Sequence, residues 1–440
     1  MKRIVTVFAS SGPRHPSSGP RQRWLHRLVL PIFGALFAAV NVLFLFNNKN
    51  DPSTTTFITS NQAHTSQRYP FVPADVIVQC GLVEHVNLKT LPKPLTKSLG
   101  FVKPHKTGGS TVANIVNRIV WERNMTKMIP SDYTYLGWPT PFPGNYKSIE
   151  SVNGSGIFRF DAVSNHAVFN ADAFRTYLKE PALIFTILRD PMERAISAFH
   201  YFPPYNSGNY TWQHFIRKYK NTTYIKTWDQ AVHVNPMAYA LGWYHLRPPL
   251  PSDNNKSKMK GMMWTTAFDH NKSAIRDFIK KVEDEIDLVM ILDHLTESLL
   301  LLKDELPQLE VTELLWSDFK ISGKGASGDD TGGTNNRKSH KIYPTEAERQ
   351  ELSNMMLVDQ MLYDHFRDKL LLRWKAKEER APEETRQLKN GLNCLHETVT
   401  QLLATEKNRL PKRLRICLSQ DSPGFTHLQS TKQQRVNVGN

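Results

Sequence analysis

The sequence predicts an α/β fold, P-loop-like, with a central parallel sheet flanked by helices and one transmembrane helix ahead of it. Three observations predict this. Two apolar stretches, near 99–103 and 181–188, read as buried strands, and each is followed by a helical pattern. Each strand runs at its carboxyl end into residues suited to an anion. An uncharged run of nineteen residues, LVLPIFGALFAAVNVLFLF at 28–46, precedes both.

That run is about enough to cross a hydrocarbon core of roughly 30 Å. A secretory signal peptide is the rival, but the run is long and no small-x-small cleavage pattern follows it; Asn47, Asn48 and Lys49 do. The chain has 440 residues, 40% of them hydrophobic and 22% charged, which suffices for a sizeable core. Its net charge of +15 calls for an anionic partner. Nucleic acid is not indicated. Lys2, Arg3, Arg14, Arg21, Arg23 and Arg27 supply much of the surplus from residues 1–27, which hold no acidic residue and adjoin the apolar run. The positive-inside rule puts that tail in the cytosol and the rest in a lumen, a type II topology. Six N-x-Ser/Thr sites, at Asn124, Asn153, Asn209, Asn221, Asn255 and Asn271, all fall on the luminal side. So do Cys80, Cys394 and Cys417. One disulfide plus a spare thiol is expected, with the pair left open, and the spacing matches no zinc site.

The organisation that follows is a cytoplasmic tail over 1–27, a membrane anchor over 28–46 and a luminal stem over 47–98. The stem is rich in Ser, Thr, Asn and Gln. One globular domain spans 99–374, and a charged C-terminal segment with two cysteines spans 375–440. A Gly-rich polar loop interrupts the domain at 320–340, and loops of that length are commonly lids or disordered insertions. There Asn336, Arg337 and Lys338 form a basic cluster, either simply solvated or able to close over a ligand. The apolar run at 288–306 reads as a core strand and helix, with a lipid-tail groove as the lesser alternative.

The first strand ends at Pro104, and His105-Lys-Thr-Gly-Gly-Ser-Thr111 follows. Val112, Ile115, Val116, Ile119 and Val120 then recur with helical period. A strand, a glycine loop and a helix present backbone N–H groups and a positive helix end to a phosphate. Gly108 and Gly109 allow close approach, while Ser110 and Thr111 can cap the helix and donate hydroxyls. Lys106 precedes the glycines, so this is not the Walker arrangement. A capped helix after a strand would explain the same residues without a ligand. In the second motif, Arg189-Asp-Pro stands at the end of ALIFTIL, where ligands bind in open α/β sheets. Arg189 can grip a phosphate bidentately, and Ser197, about two helical turns on, can add a hydroxyl. An Arg–Asp pair closing the turn is the plainer reading. Together the two motifs suit a donor bearing a 5′-phosphosulfate and a 3′-phosphate.

HKTGGST and ILRDPMERAISAF resemble the two donor-binding motifs of Golgi carbohydrate sulfotransferases. NHAVFN at 165–170, NPMAYALGW at 235–243, DLVMILDHLTESLLLLKDEL at 287–306 and LYDHF at 362–366 narrow the resemblance to the galactose-3-O-sulfotransferase family, galactosylceramide sulfotransferase-like, over roughly 99–374. The loop differs in having Gly108 and Gly109 where that family more usually has serines. The resemblance implies the sulfotransferase fold, a Golgi membrane location and 3′-phosphoadenosine-5′-phosphosulfate (PAPS) as co-substrate, without a metal. It implies a galactose-containing glycolipid or glycan as acceptor, sulfated at the galactose 3-OH, and is compatible with a homodimer. By it His105, Lys106, Thr107, Gly108, Gly109, Ser110, Thr111, Arg189 and Ser197 bind the donor, and Lys106 steadies the leaving phosphate.

Sulfuryl transfer needs a base near neutrality, and His is the usual solution. His166 follows the strand-like IFRFDAVS and matches the family's expected base; a histidine bonded in a turn is the bland alternative. His105 is the runner-up, and His200, on the helix after Arg189, reads as structural. Rival functions are a glycosaminoglycan sulfotransferase using the same donor, a nucleoside-phosphate kinase, and an inactive luminal carbohydrate-binding protein. The kinase lacks the Walker spacing and a clear magnesium carboxylate. The inactive protein would be favoured by loss of Lys106, His166, Arg189 or Ser197, and all four are present.

Overall fold

The computed structural model describes residues 74–82, 92–128, 135–142, 159–202, 204–205, 210–251, 262–316 and 342–405. The expected tail 1–27, the anchor 28–46, the loop 320–340 with its Asn336–Lys338 cluster, Cys417, Asn153, Asn209 and Asn255 lie outside the described residues. Among the described residues no helix is long and apolar enough to cross a membrane. Asn124, Asn221 and Asn271 are all exposed.

A short helix, α1 (Ala74–Gln79), comes first. It falls inside the segment expected as stem, and Cys80 beside it forms a disulfide with Cys394, with Cα atoms 5.6 Å apart. β1 (Ser98–Val102) is buried along its length and leads through the glycine loop into α2 (Gly109–Glu122). The helical period expected for α2 is its buried face, with Val112, Ile115, Val116, Ile119 and Val120 at most 1% exposed. β2 (Ala162–Val163) follows, then α3 (Ala171–Tyr177), β3 (Ala182–Leu188) and α4 (Pro191–Phe199). Asp190 caps α4 by accepting from the Glu193 N–H, and Pro191 occupies its first turn, where a missing N–H costs nothing.

The four-stranded sheet has the order β2-β1-β3-β7, where β7 is Leu288–Ile291, and every pairing in it is parallel. Its strands are buried on both faces, as a parallel sheet covered by helices requires. Gly100 sits where a Cβ would fall 2.9 Å from Leu178 Cδ1, so α3 and its C-terminal residue close onto the sheet there. Among the described residues of IFRFDAVS, 159–164, two form strand. Its Asp161 carboxylate is engaged by Lys179 Nζ and by the N–H and hydroxyl of Thr126, and the surrounding pairings are single bridges.

Between β3 and β7 lie α5 (Trp212–Tyr219), β4 (Tyr224–Ile225), α6 (Trp228–His233), α7 (Pro236–Ala240), β5 (Leu250–Pro251), β6 (Met262–Thr265) and α8 (Lys272–Glu285). β4, β6 and β5 form a small antiparallel sheet. After β7 come α9 (Leu295–Glu305), α10 (Glu346–Met355), α11 (Leu357–Arg380) and α12 (Pro382–Thr405). The run at 288–306 is therefore a core strand and helix. α9 and α11 pack against β7, and α12 packs on α11, α9 and α1, so the charged segment after 374 contributes buried Leu388, Leu392, Leu395 and Val399.

A buried polar hub holds this helical layer. Asp359 of α11 is 0% exposed and accepts from the N–H groups of Met237 (3.2 Å) and Ala238 (2.8 Å) at the start of α7. Asn235, in the left-handed region at φ 39°, accepts from the Asp359 N–H and donates to Asp269. Trp243 Nε1 and the Tyr244 hydroxyl complete the Asp269 cluster at 2.8 and 2.6 Å. Burial pushes the Asp359 carboxyl up to about 6, while the two N–H groups and the Arg194 charge oppose it. Arg194 of α4, 1% exposed, is the counter-charge and donates to the Val232 carbonyl. Removing it leaves a buried carboxylate uncompensated, a loss of about 3–5 kcal/mol. Arg194→Met is therefore expected to lower the urea midpoint sharply at pH 8. The effect should shrink towards pH 5, because Asp359 then takes up a proton and no longer needs a counter-charge.

Candidate active site

The parallel register places four strand ends side by side. Residues 103–109 leave β1, 164–166 leave β2, 189–190 leave β3 and 292–293 leave β7. Contacts join them. His166 Nδ1 lies 2.8 Å from the Lys103 carbonyl, and Arg189 Nη1 donates to the Lys106 carbonyl at 3.5 Å. The Asp190 N–H meets Asp293 Oδ2 at 3.4 Å, and Tyr363 of α11 donates to that same oxygen. The two motifs separated in sequence thus form one edge.

The glycine loop turns on backbone conformations that side chains resist. Lys106 has φ 65° and Gly108 φ 82°. A Cβ on Gly108 would also fall 2.6 Å from Leu292 Cδ1, so the end of β7 presses on the loop. Gly108 is the N-cap of α2 and no side chain caps the helix. The cap expected from Ser110 or Thr111 does not form, because both lie within the first turn rather than before it. Thr107 is 0% exposed and its hydroxyl donates to the Pro104 carbonyl. The Thr111 N–H donates to the Gly108 carbonyl at 3.0 Å, which leaves the N–H groups of Gly109 and Ser110, ahead of the first helical bond, as those that suit an oxyanion.

His166 is partly exposed and shaped as a base. A carbonyl can only accept, so the 2.8 Å contact with Lys103 O places the proton on Nδ1 and leaves Nε2 with its lone pair. The ring stacks on His105 with centroids 4.0 Å apart at 11°. Burial, then the charges of His105, Lys103 and Lys106, hold His166 well below the ordinary histidine range, so the neutral form prevails at neutral pH.

His105 itself is 4% exposed, packed among Trp138, Tyr135, Phe202 and Trp228. Neither of its ring nitrogens has a hydrogen-bond partner among the described residues. Its position is behind His166, buttressing that ring. Lys106 is half-buried, with Nζ 3.6 Å from the centroid of Tyr201. Arg189 also pairs with the exposed Glu193 at 3.6 Å. Ser197 is partly buried in the second turn of α4, and His200 caps that helix with Nε2 at 3.1 Å from the Ile342 carbonyl. Among the described residues no cluster of His, Cys, Asp or Glu could hold a metal.

Sequence reasoning did not single out Lys103, Lys127 or Tyr201. Lys127 is 7% exposed, and its amine donates to Asn117 Oδ1 at 2.7 Å, as Ser164 does at 3.4 Å. Lys103 is part-buried beside it, and burial pushes Lys103 down to about 8 and Lys127 to about 7. A charged residue directly after the last apolar position of β1 was the available signal for Lys103; Tyr201 and Lys127 left none.

A glycine loop, a guanidinium and a neutral imidazole gathered on the carboxyl edge of a parallel sheet define an α/β site able to hold an oxyanion against a base. A family model described as Galactose-3-O-sulfotransferase matches residues 26–410. Galactose-3-O-sulfotransferase 2 of Mus musculus is 25% identical over 355 residues, 78% of this chain and 77% of that protein. Galactose-3-O-sulfotransferase 2 of Sus scrofa is 29% identical over 216 residues, and the chain spans only 48% of that relative's length. Galactosylceramide sulfotransferase of Homo sapiens is 27% identical over 228 residues, 52% of this chain and 49% of that protein. The chain belongs to the galactose-3-O-sulfotransferase family.

Gly108→Ala tests the loop. The left-handed backbone alone costs a residue with a Cβ about 1–2 kcal/mol. A fall of that size in unfolding free energy by urea titration is the expected outcome.

Proposed function

We propose that this chain transfers a sulfuryl group from PAPS to the 3-OH of a β-galactoside on a glycolipid or glycan. We also propose that it works as a single-pass type II protein with its catalytic domain in the Golgi lumen. The observation that carries the chemical reading is the hydrogen bond from His166 Nδ1 to the Lys103 carbonyl, which leaves Nε2 as an acceptor beside the loop. The residues present fit a doubly anionic donor. Arg189 bonds the Lys106 carbonyl within the loop, which leads directly into the N-terminus of α2. When bound, the donor supplies a sulfuryl group whose bond to the phosphate oxygen breaks as a bond to the acceptor oxygen forms.

In this reading the loop residues His105 to Thr111 hold the 5′ end, through backbone N–H groups at Thr107, Gly108 and Gly109 and the hydroxyls of Ser110 and Thr111. His105 acts only through His166. Arg189 and Ser197 take the 3′-phosphate. Lys106 offsets the charge that builds on the leaving phosphate oxygen, the largest demand in an in-line displacement of this kind. His166 Nε2 accepts the proton of the acceptor hydroxyl as that oxygen attacks. No metal is called for in this scheme.

The test is a transfer assay on the detergent-solubilised full chain with labelled donor and a panel of β-galactosides, galactosylceramide and glycosaminoglycan chains. Label on a galactoside is expected, with Arg189→Ala and His166→Ala each reducing kcat/KM by at least about a hundredfold. Label on glycosaminoglycan alone would overturn the acceptor. No label on any acceptor, with no donor binding, would overturn the reaction. The pH profile adds a second check. Because His166 is neutral until well below its ordinary range, the acid limb of kcat/KM is expected below pH 6, and activity should stay flat from there to pH 7.5.

A further inference from the structure

We infer that Lys103 is a second catalytic cation, reaching the sulfuryl end of the donor while Lys106 serves the phosphate end. This rests on the proposed donor and reaction, and it assigns a role to a residue that neither motif contains.

The glycine pair supplies the first observation. Gly108 is required by its φ of 82° and by Leu292, but Gly109 has no such backbone demand. A Cβ on Gly109 would fall 2.8 Å from Lys103 Cγ and 3.5 Å from its Cε. The aliphatic stem of Lys103 therefore crosses the first residue of α2, in the space a side chain would fill. The second residue of the pair is the passage for a lysine.

The second observation fixes which end of the donor the lysine serves. The carbonyl of Lys103 holds His166 at 2.8 Å, so its backbone is anchored to the base. The attacking oxygen must lie between the base and sulfur, which puts Lys103 on the sulfuryl side of the loop. Lys106 sits three residues on, with its ammonium against Tyr201.

The third observation is charge. Among the described residues, neither Lys103 nor Lys127 has a carboxylate partner; Lys127 is bonded to the neutral Asn117, and Lys103 forms no hydrogen bond through its amine. The titratable groups facing Lys103 are His105 on its own loop, His166 after β2 and Lys127 beside β2, none of them acidic. A part-buried ammonium among cations is costly until an anion arrives. A phosphosulfate brings negative charge at both of its ends. Burial holds the free Lys103 amine down to about 8, so its proton is retained below that pH and lost above it.

The test uses the detergent-solubilised full chain. Lys103→Met keeps the stem across Gly109 and removes only the ammonium. The expected result is an unchanged melting temperature and unchanged affinity for adenosine 3′,5′-bisphosphate, which lacks the sulfuryl group. Transfer should fall about a hundredfold in kcat/KM, the usual effect of losing one charge-stabilising donor. The alkaline limb of kcat/KM near pH 8 should vanish in this variant. Lys103→Arg should retain most activity and move that limb beyond pH 9.5, which covers the case in which the Met variant fails to fold. Transfer by Lys103→Met equal to wild type, or an alkaline limb unmoved in Lys103→Arg, would overturn the inference. Absence of donor binding by the wild type would instead remove the underlying reading, and the two failures are distinguishable by that binding measurement.

Discussion

The parallel pairing of β1 with β3 is the constraint on which the site depends. Its register sets Val102 against Thr186, and the Thr186 hydroxyl donates to the Val102 carbonyl at 2.9 Å, locking the last turn of the ladder. Two segments eighty residues apart in sequence must then leave the sheet at the same edge. A slip of one residue would turn Phe101 and Phe185, whose rings meet at 5.2 Å, to the wrong faces. The core therefore enforces the meeting of the glycine loop with Arg189, and the cost of any other register is paid in buried aromatic surface.

What gathers at that edge is a set of cations, with the acids Asp190, Glu193 and Asp293 confined to its β3–β7 end. Lys103, Lys106, Lys127 and Arg189 lie around two neutral imidazoles, and the nearest acid to Arg189 is the exposed Glu193. Such a cluster opposes folding slightly and favours an anion strongly, and the same burial that depresses the lysines also keeps His166 unprotonated. A neutral imidazole and the cations around it are thus compatible because of one property. A wetter site would let His166 protonate at mildly acidic pH and blunt every charge around it.

Much of this was legible in the sequence, and the reason is periodicity. α2 and β3 declare themselves because their apolar positions repeat at the helical spacing or run unbroken between Pro181 and Arg189. The two anion motifs are legible because glycine and arginine at strand ends have few other uses. β2 was read too long, since an edge held by single bridges to Lys127, Tyr135 and Pro141 has no period to read. The stem hid α1, whose place depends on Cys80 choosing Cys394, a contact across 314 residues that no local pattern encodes. Ser110 and Thr111 were assigned as caps by residue type, but the turn's demand for a left-handed residue placed Gly108 there instead. Lys103 left only the weak signal of a charge directly after β1, because its neighbour in space is the gap left by the missing side chain at Gly109.

α4 shows how tightly stability and chemistry are joined here. Arg189 stands just before its first turn and bonds the Lys106 carbonyl, while Tyr201, just past its end, covers the Lys106 ammonium. Between them the opposite face of the same helix buries Arg194 against the charge of Asp359. α4 cannot rotate without breaking that compensation, and it cannot slide without pulling Asp190 from Asp293. The lysine at the centre of the loop is consequently held from both sides by a helix whose own orientation is set in the core. Pre-organisation of this kind removes the need to order the lysine when an anion binds, and it places the demand for precision on buried charges far from the reacting atoms.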